Sequence, residues 1–131
     1  MYRRVPLVVA SLYQVSALSF MKTSASSICL EIFKRTRLFS REYKYTVGEK
    51  LKNESLELII NIYKANKSQK QARLNCIAKA RENVETIRLL LRLTKDLQVI
   101  GNKPFVFLNG KIENVSVQLV GWQKYMAGVT K

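Results

Sequence analysis

At 131 residues, with 47% hydrophobic and 24% charged side chains, the chain has room for one packed core and the composition of a folded domain. Its 23 Lys and Arg outweigh 9 Asp and Glu, a formal net charge of +14 that repels itself unless a nucleic acid or an anionic membrane surface offsets it. There is no histidine, which excludes a histidine base, a Ser-His-Asp triad and a histidine-ligated metal.

The first element in chain order is ambiguous. Val5 to Met21 is uncharged and largely apolar and follows Arg3-Arg4, the outline of a signal peptide, with a small-x-small pattern at Ser24-Ala25-Ser26. It is short for a membrane span and is diluted by Pro6 and Gln14. Two other readings stand beside it: an upstream extension of a natural start at Met21, or a lengthening of the first helix. The chain therefore divides into residues 1–20, an N-terminal extension or the start of the first helix, and residues 21–131, one four-helix bundle domain. Only 5 Gly and 2 Pro favour a few long helices over many short strands.

The first helix runs from about Ala17 to Phe39, with Ile28, Ile32 and Phe33 at helical spacing and cations near its end. Ser40 to Tyr45 is a polar connection. Thr46-Val47-Gly48-Glu49 then matches a capping box and opens a second helix to about Asn66. Leu51, Ser55, Leu58, Ile62 and Ala65 form its seam, with Lys50, Glu54, Glu57, Asn61 and Lys64 opposite. Leu56, Ile59, Ile60 and Tyr63 widen the apolar arc, which predicts more than one neighbour. Ser68-Gln69-Lys70-Gln71 is a second capping box, opening a third helix to about Val99 with the seam Ile77, Ala80, Val84, Ile87, Leu91 and Thr94. Gly101-Asn102 stops it and Pro104 starts a fourth helix. Phe105, Leu108, Ile112, Val115, Leu119, Trp122 and Met126 keep one rhythm across Gly110, which therefore sits in a helix and marks a close contact. Short connections make the fold all-α, an up-down-up-down four-helix bundle. Its surplus apolar width predicts self-association. Trp122 fits either the core or an interface, with the seam favouring the core.

The charge is regional. Residues 34–52 hold seven basic and two acidic side chains, residues 64–95 nine and two, so these stretches carry +12 of the +14. Lys34, Arg35, Arg37, Arg41 and Lys44 crowd one helix end, where helix-dipole capping accounts for only one or two of them. Tyr43 and Tyr45 beside them either stack on exposed bases or pack against the bundle end. Arg81, Arg88, Arg92 and Lys95 fall within about 60° on one helix face. They form either a phosphate track or salt bridges to Glu54, Glu57 or Glu113, and the surplus of cations favours the track. Glu82, Glu85 and Asp96 do not converge, so neither a metal site nor a cofactor is expected. Cys29 and Cys76 read as free thiols, with a disulfide as the alternative.

Tyr43-Lys44-Tyr45-Thr46-Val47-Gly48-Glu49-Lys50-Leu51 resembles the "Tyr-x-Leu-Gly-x-x-Leu" opening of helix two in a superfamily of small four-helix bundle proteins, and the closer match within it is to Avd proteins, the accessory variability determinants of diversity-generating retroelements. Asn53 to Asn66, Ala80 to Leu90, Leu93 to Leu97 and Gly121-Trp122-Gln123-Lys124 are similar to that family's later helices, over roughly Met21 to Lys124. The first helix before Glu31 departs from the pattern. The resemblance implies a non-catalytic protein that forms a homopentameric barrel and associates with a reverse transcriptase, its template RNA and the cDNA during mutagenic cDNA synthesis. A basic nucleic-acid binder belongs in the cytoplasm, and no membrane partner is expected. The candidate nucleic-acid or reverse-transcriptase contacts are Lys34, Arg35, Arg37, Arg41, Lys44, Arg73, Lys79, Arg81, Arg88, Arg92 and Lys95. Related bundle proteins encoded in ribosomal RNA intervening sequences give a second reading, a stand-alone nucleic-acid binder. A membrane-surface or secreted helical protein is the third.

Overall fold

The computed structural model describes residues 23–129, so the readings of residues 1–20 lie outside the described residues. Helix α1, residues 23–36, turns Ala25, Ile28, Cys29, Ile32 and Thr36 inward at steps of three and four. It ends three residues before the expected Phe39. The Thr36 hydroxyl donates to the Phe33 carbonyl, and the Leu38 and Phe39 amides close tight turns back to Arg35 and Thr36. The expected polar connection contains a single helical turn, α2 (Arg41–Lys44).

That turn explains why the first capping box does not form. The Thr46 hydroxyl donates backward to the Glu42 carbonyl at 2.9 Å, so α3 (Val47–Lys67) starts without a side-chain cap. The unsatisfied carbonyls at the end of α2 lie closer to the hydroxyl than the amides ahead of it. Gly48 has a different reason to be glycine. A Cβ there would meet the Tyr43 carbonyl oxygen at 3.1 Å, Phe39 Cδ2 at 3.2 Å and Thr36 Cβ at 3.6 Å. The glycine lets α3 cross the α1–α2 corner in contact with its backbone.

The second capping box also fails. Ser68 is the C-cap of α3, its hydroxyl donating to the Lys64 carbonyl at 2.7 Å, and a two-residue connection leaves it no second duty. Helix α4 (Lys70–Asp96) opens after Gln69 with Lys70 in the left-handed region. It closes at Leu97 instead of running on to Val99. The Val99 amide reaches back to Thr94 and the Gln98 amide to Lys95, both at 2.9 Å, the Schellman pattern. Its left-handed residue is Gln98 (φ 61°), whereas Gly101 has no positive φ. Because the left-handed region costs a side-chain-bearing residue about 1–2 kcal/mol, partly offset by the freedom glycine gains when unfolded, Gln98→Gly is expected to stabilise by about 0.5–1 kcal/mol. A rise of a few degrees in Tm checks it, and a fall would contradict the cap.

Helix α5 (Asn102–Val129) begins with the Phe105 amide bonded to the Gly101 carbonyl. Pro104 lies in its first turn, where a missing N–H breaks no ladder bond. The helix runs through Gly110, but a Cβ there meets nothing within 4 Å, so the expected close contact is absent and the residue faces solvent.

The seams of α3, α4 and α5 interlock with α1 in one core, and Trp122 lies inside it. Helix directions follow from the contacts. Thr36 against Gly48 and Cys29 against Ser55 run α1 antiparallel to α3; Arg73 against Met126, Arg88 against Glu113 and Lys95 against Phe105 do so for α4 and α5. Lys111 donates to Ser27 at 2.8 Å and closes the ring of helices between α5 and α1. The result is an up-down-up-down four-helix bundle, with α2 as an extra turn at one corner. Both cysteines are free, and Ser55 donates to the buried Cys29 sulfur.

Asn61, expected on the outer face of α3, is 7% exposed and donates to Asn83 Oδ1 at 2.7 Å, with Asn83 donating on to Glu54 at 3.1 Å. As its apolar width predicts, α3 has more than one neighbour, packing against α1 and α4 with Ile59 partly buried against the core, while Leu56, Ile60 and Tyr63 remain exposed. Among the described residues, no helix is long and apolar enough to cross a membrane.

Candidate nucleic-acid interface

The α4 stripe is largely spent inside the molecule. Arg81 donates to Gln123 of α5. Arg88 donates from Nε to Glu113 of α5 at 2.7 Å and pairs with Glu85 on its own helix. The Glu113 hydrogen bond is the main reason its guanidinium pKa lies above the ordinary value; partial burial works against that shift, and Glu85 adds to it. Lys95 sits 4.8 Å over the Phe105 ring. These three cations, seven residues apart on α4, stitch it to α5. Arg92 turns further outward and, among the described residues, meets Asp96 alone, at 4.0 Å and well exposed, an ion pair worth little. Of the two readings of this stripe, salt bridging to Glu113 describes Arg88.

Arg73 is a structural residue. Its Nε donates to the Ala65 carbonyl at 2.9 Å and its Nη2 to Asn66 at 3.2 Å, with Nη1 3.7 Å from the Met126 sulfur. The guanidinium thus caps the C-terminus of α3, where terminal carbonyls lack helical partners and the dipole favours a cation. Arg73→Ala is expected to cost about 1.5–3 kcal/mol in urea unfolding, the range for hydrogen bonds to a charged group, and to change nucleic-acid affinity less than about threefold. A large loss of binding at unchanged stability would return Arg73 to the interface. Lys79 is exposed and, among the described residues, has no acidic partner.

The corner built by α1, α2 and the start of α3 is different. Lys34, Arg37 and Arg41 are exposed and Lys44 is half-buried, and among the described residues none of the four has an acidic partner. Among the described residues Arg35 alone of this cluster is engaged, 3.5 Å from Glu31 and with its guanidinium 5.8 Å from the Phe107 ring centre. Thr36, Phe39 and Tyr43 all close on Gly48, so these cations are gathered on one fold of chain. Tyr43 packs half-buried against the core, while Tyr45 stands 65% exposed.

The antiparallel register also brings Lys103, in the first turn of α5, to this end of the bundle, because Phe107 one turn later meets Arg35. Lys103 was not among the sequence candidates. The available signal was its position: a cation in the first helical turn opposes the helix dipole, and neither α4 nor α5 has an acid in its first turn.

A family model described as bAvd-like matches residues 19–126 of the chain. Among solved structures, the chain is similar to a protein of unknown function from the S23 ribosomal protein family of Bacteroides thetaiotaomicron, determined by crystallography at 1.70 Å. The TM-score is 0.77 at 14% identity, covering 82% of this chain and 98% of that one, a likeness of fold. No curated protein matches the chain.

Proposed function

Since the chain belongs to the bAvd-like family, we propose that it is a non-catalytic accessory protein of a diversity-generating retroelement. In this reading it binds the reverse transcriptase, the template RNA and the cDNA in the cytoplasm, and so supports mutagenic cDNA synthesis. The observation that carries the nucleic-acid part is the corner of Lys34, Arg37, Arg41 and Lys44, cations without acidic partners among the described residues. A folded domain gains nothing internally from such a cluster, whereas a polyphosphate releases its counterions on meeting it.

Assembly into a homopentamer is part of the same proposal. Leu89, Leu93 and Leu97 recur at steps of four along the outside of α4, Leu89 being 68% exposed, and Leu56 and Ile60 do so on α3. Rows of leucine and isoleucine facing water favour burial against further copies. Light scattering should then give five times the 15.1 kDa of one chain.

The decisive experiment co-expresses the chain with any reverse transcriptase whose gene neighbours its own. Co-purification, and cDNA synthesis on the template RNA that requires this protein, are the expected results. Absence of both removes the retroelement role. The S23-family fold likeness favours one other reading, a stand-alone nucleic-acid-binding bundle, and the lack of any neighbouring reverse-transcriptase gene would decide for it.

A further inference from the structure

Four aromatic side chains stand exposed on the described surface, and three of their rings are already covered by cations of the same chain. Lys52 lies over Phe33, Lys67 over Tyr63, and both Arg35 and Lys111 over Phe107. Tyr45 is the exception. It is 65% exposed, and among the described residues no cation and no hydrogen-bond partner engages its side chain, although Arg41 and Lys44 are its near neighbours in sequence. The residue sits at the C-cap of α2, on the corner where Lys34, Arg37, Arg41 and Lys44 also have no ion-pair partner among the described residues, and Leu38 beside them is 85% exposed.

The shape of this corner selects among nucleic acids. Helix α2 has only four residues, about 6 Å of rise, little more than one turn with which to reach base edges in a major groove. Against a duplex the corner offers only charge, because paired bases keep their faces stacked on one another. An unpaired strand presents both its phosphates and the faces of its bases, and a base face is what an open tyrosine ring flanked by cations accommodates. An acidic protein segment would satisfy the cations and leave the ring unused.

We propose that this corner takes an unpaired nucleotide segment, its phosphates on Lys34, Arg37, Arg41 and Lys44 and one base stacked on Tyr45. The inference rests on the nucleic-acid reading above and adds the strand state and the stacking residue. Sequence tolerance follows, since every base has a face to stack.

The test is fluorescence anisotropy of the full chain at moderate salt, with a labelled single strand of about 12 nucleotides, as RNA and as DNA, and a hairpin duplex of the same sequence. The expected result is tighter binding of the single strand. Tyr45→Ala should weaken it roughly five- to a hundredfold, on either sugar chemistry, and leave the duplex within about twofold; Tyr45→Phe should keep the wild-type affinity. Equal losses on single strand and duplex, no loss on either, or a wild-type preference for duplex would each overturn the proposal. So would displacement of the strand by polyglutamate of equal charge as readily as by unlabelled oligonucleotide. If replacing the four cations by Gln weakens both ligands while Tyr45→Ala weakens neither, the stacking inference alone fails. If the wild-type chain binds neither ligand, the nucleic-acid reading itself fails and this inference goes with it.

Discussion

Replacing Lys34, Arg37, Arg41 and Lys44 together by Gln is expected to lower affinity for structured RNA on the order of a hundredfold at moderate salt. Each cation is assigned about 0.5–1 kcal/mol against a phosphate, and among the described residues none of the four is held in an ion pair. Replacing Arg81, Arg88 and Lys95 by Gln should instead lower the melting temperature and change RNA affinity by less than about tenfold. These three are bonded to Gln123, Glu113 and Phe105, so their removal loosens α4 from α5 before it disturbs a ligand. Binding titrations and thermal melts on the same samples separate the two sets. The reverse pattern, with the α4 variant losing RNA and the corner variant keeping it, would move the interface to the α4–α5 seam.

The second large effect is on stability and lies in the polar ladder between α3 and α4. Asn83 accepts from Asn61 and donates to Glu54, whose side chain is only 15% exposed and which also meets Lys50 at 3.5 Å. Asn83→Ala leaves a buried amide without its acceptor and a shielded carboxylate short of a donor. At about 1–3 kcal/mol for each orphaned group, the expected cost is on the order of 2–4 kcal/mol in urea unfolding. Substituting leucine at both Asn61 and Asn83 removes the amides as a pair and should recover at least half of that loss. An Asn83→Ala variant as stable as the parent would show that the ladder contributes nothing net.

Much of the bundle was legible because its seams repeat. Leu51 to Ala65, Ile77 to Thr94 and Leu108 to Met126 are buried at the positions that helical periodicity marks, and Trp122 is placed in the core by the same rhythm. What escaped depends on competition between neighbours. Thr46 and Ser68 have the residue type of N-caps, yet each turns back to the carbonyls of the helix just ended, which a motif ahead of it does not reveal. Gln98 ends α4 in a conformation that sequence assigns to glycine, because the capping bonds to Thr94 and Lys95 outweigh the local strain. Asn61 is polar and was read as outward; its partner lies 22 residues away.

The site was legible in outline and not in its division of labour. Charge density located both basic stretches, and periodicity placed Arg81, Arg88 and Lys95 on one face. Periodicity gives the direction of a face and not what stands opposite, here the polar and aromatic edge of α5. Arg73 looked like any other cation of the second stretch, since its partners are backbone carbonyls that every sequence supplies. At the α1–α2 corner Lys34, Arg37, Arg41 and Lys44 form no ion pair among the described residues, although Glu42 lies between two of them in the sequence, so the sequence reading of that cluster needed only Arg35 set apart.

The most direct test of a charge-driven nucleic-acid interface is the salt dependence of wild-type binding to the template RNA. Four phosphate contacts at about 0.7 of a released counterion each predict a slope near −3 in log affinity against log salt, steepening as assembly joins corners. A slope near zero, with affinity unchanged from low to moderate salt, would contradict the account.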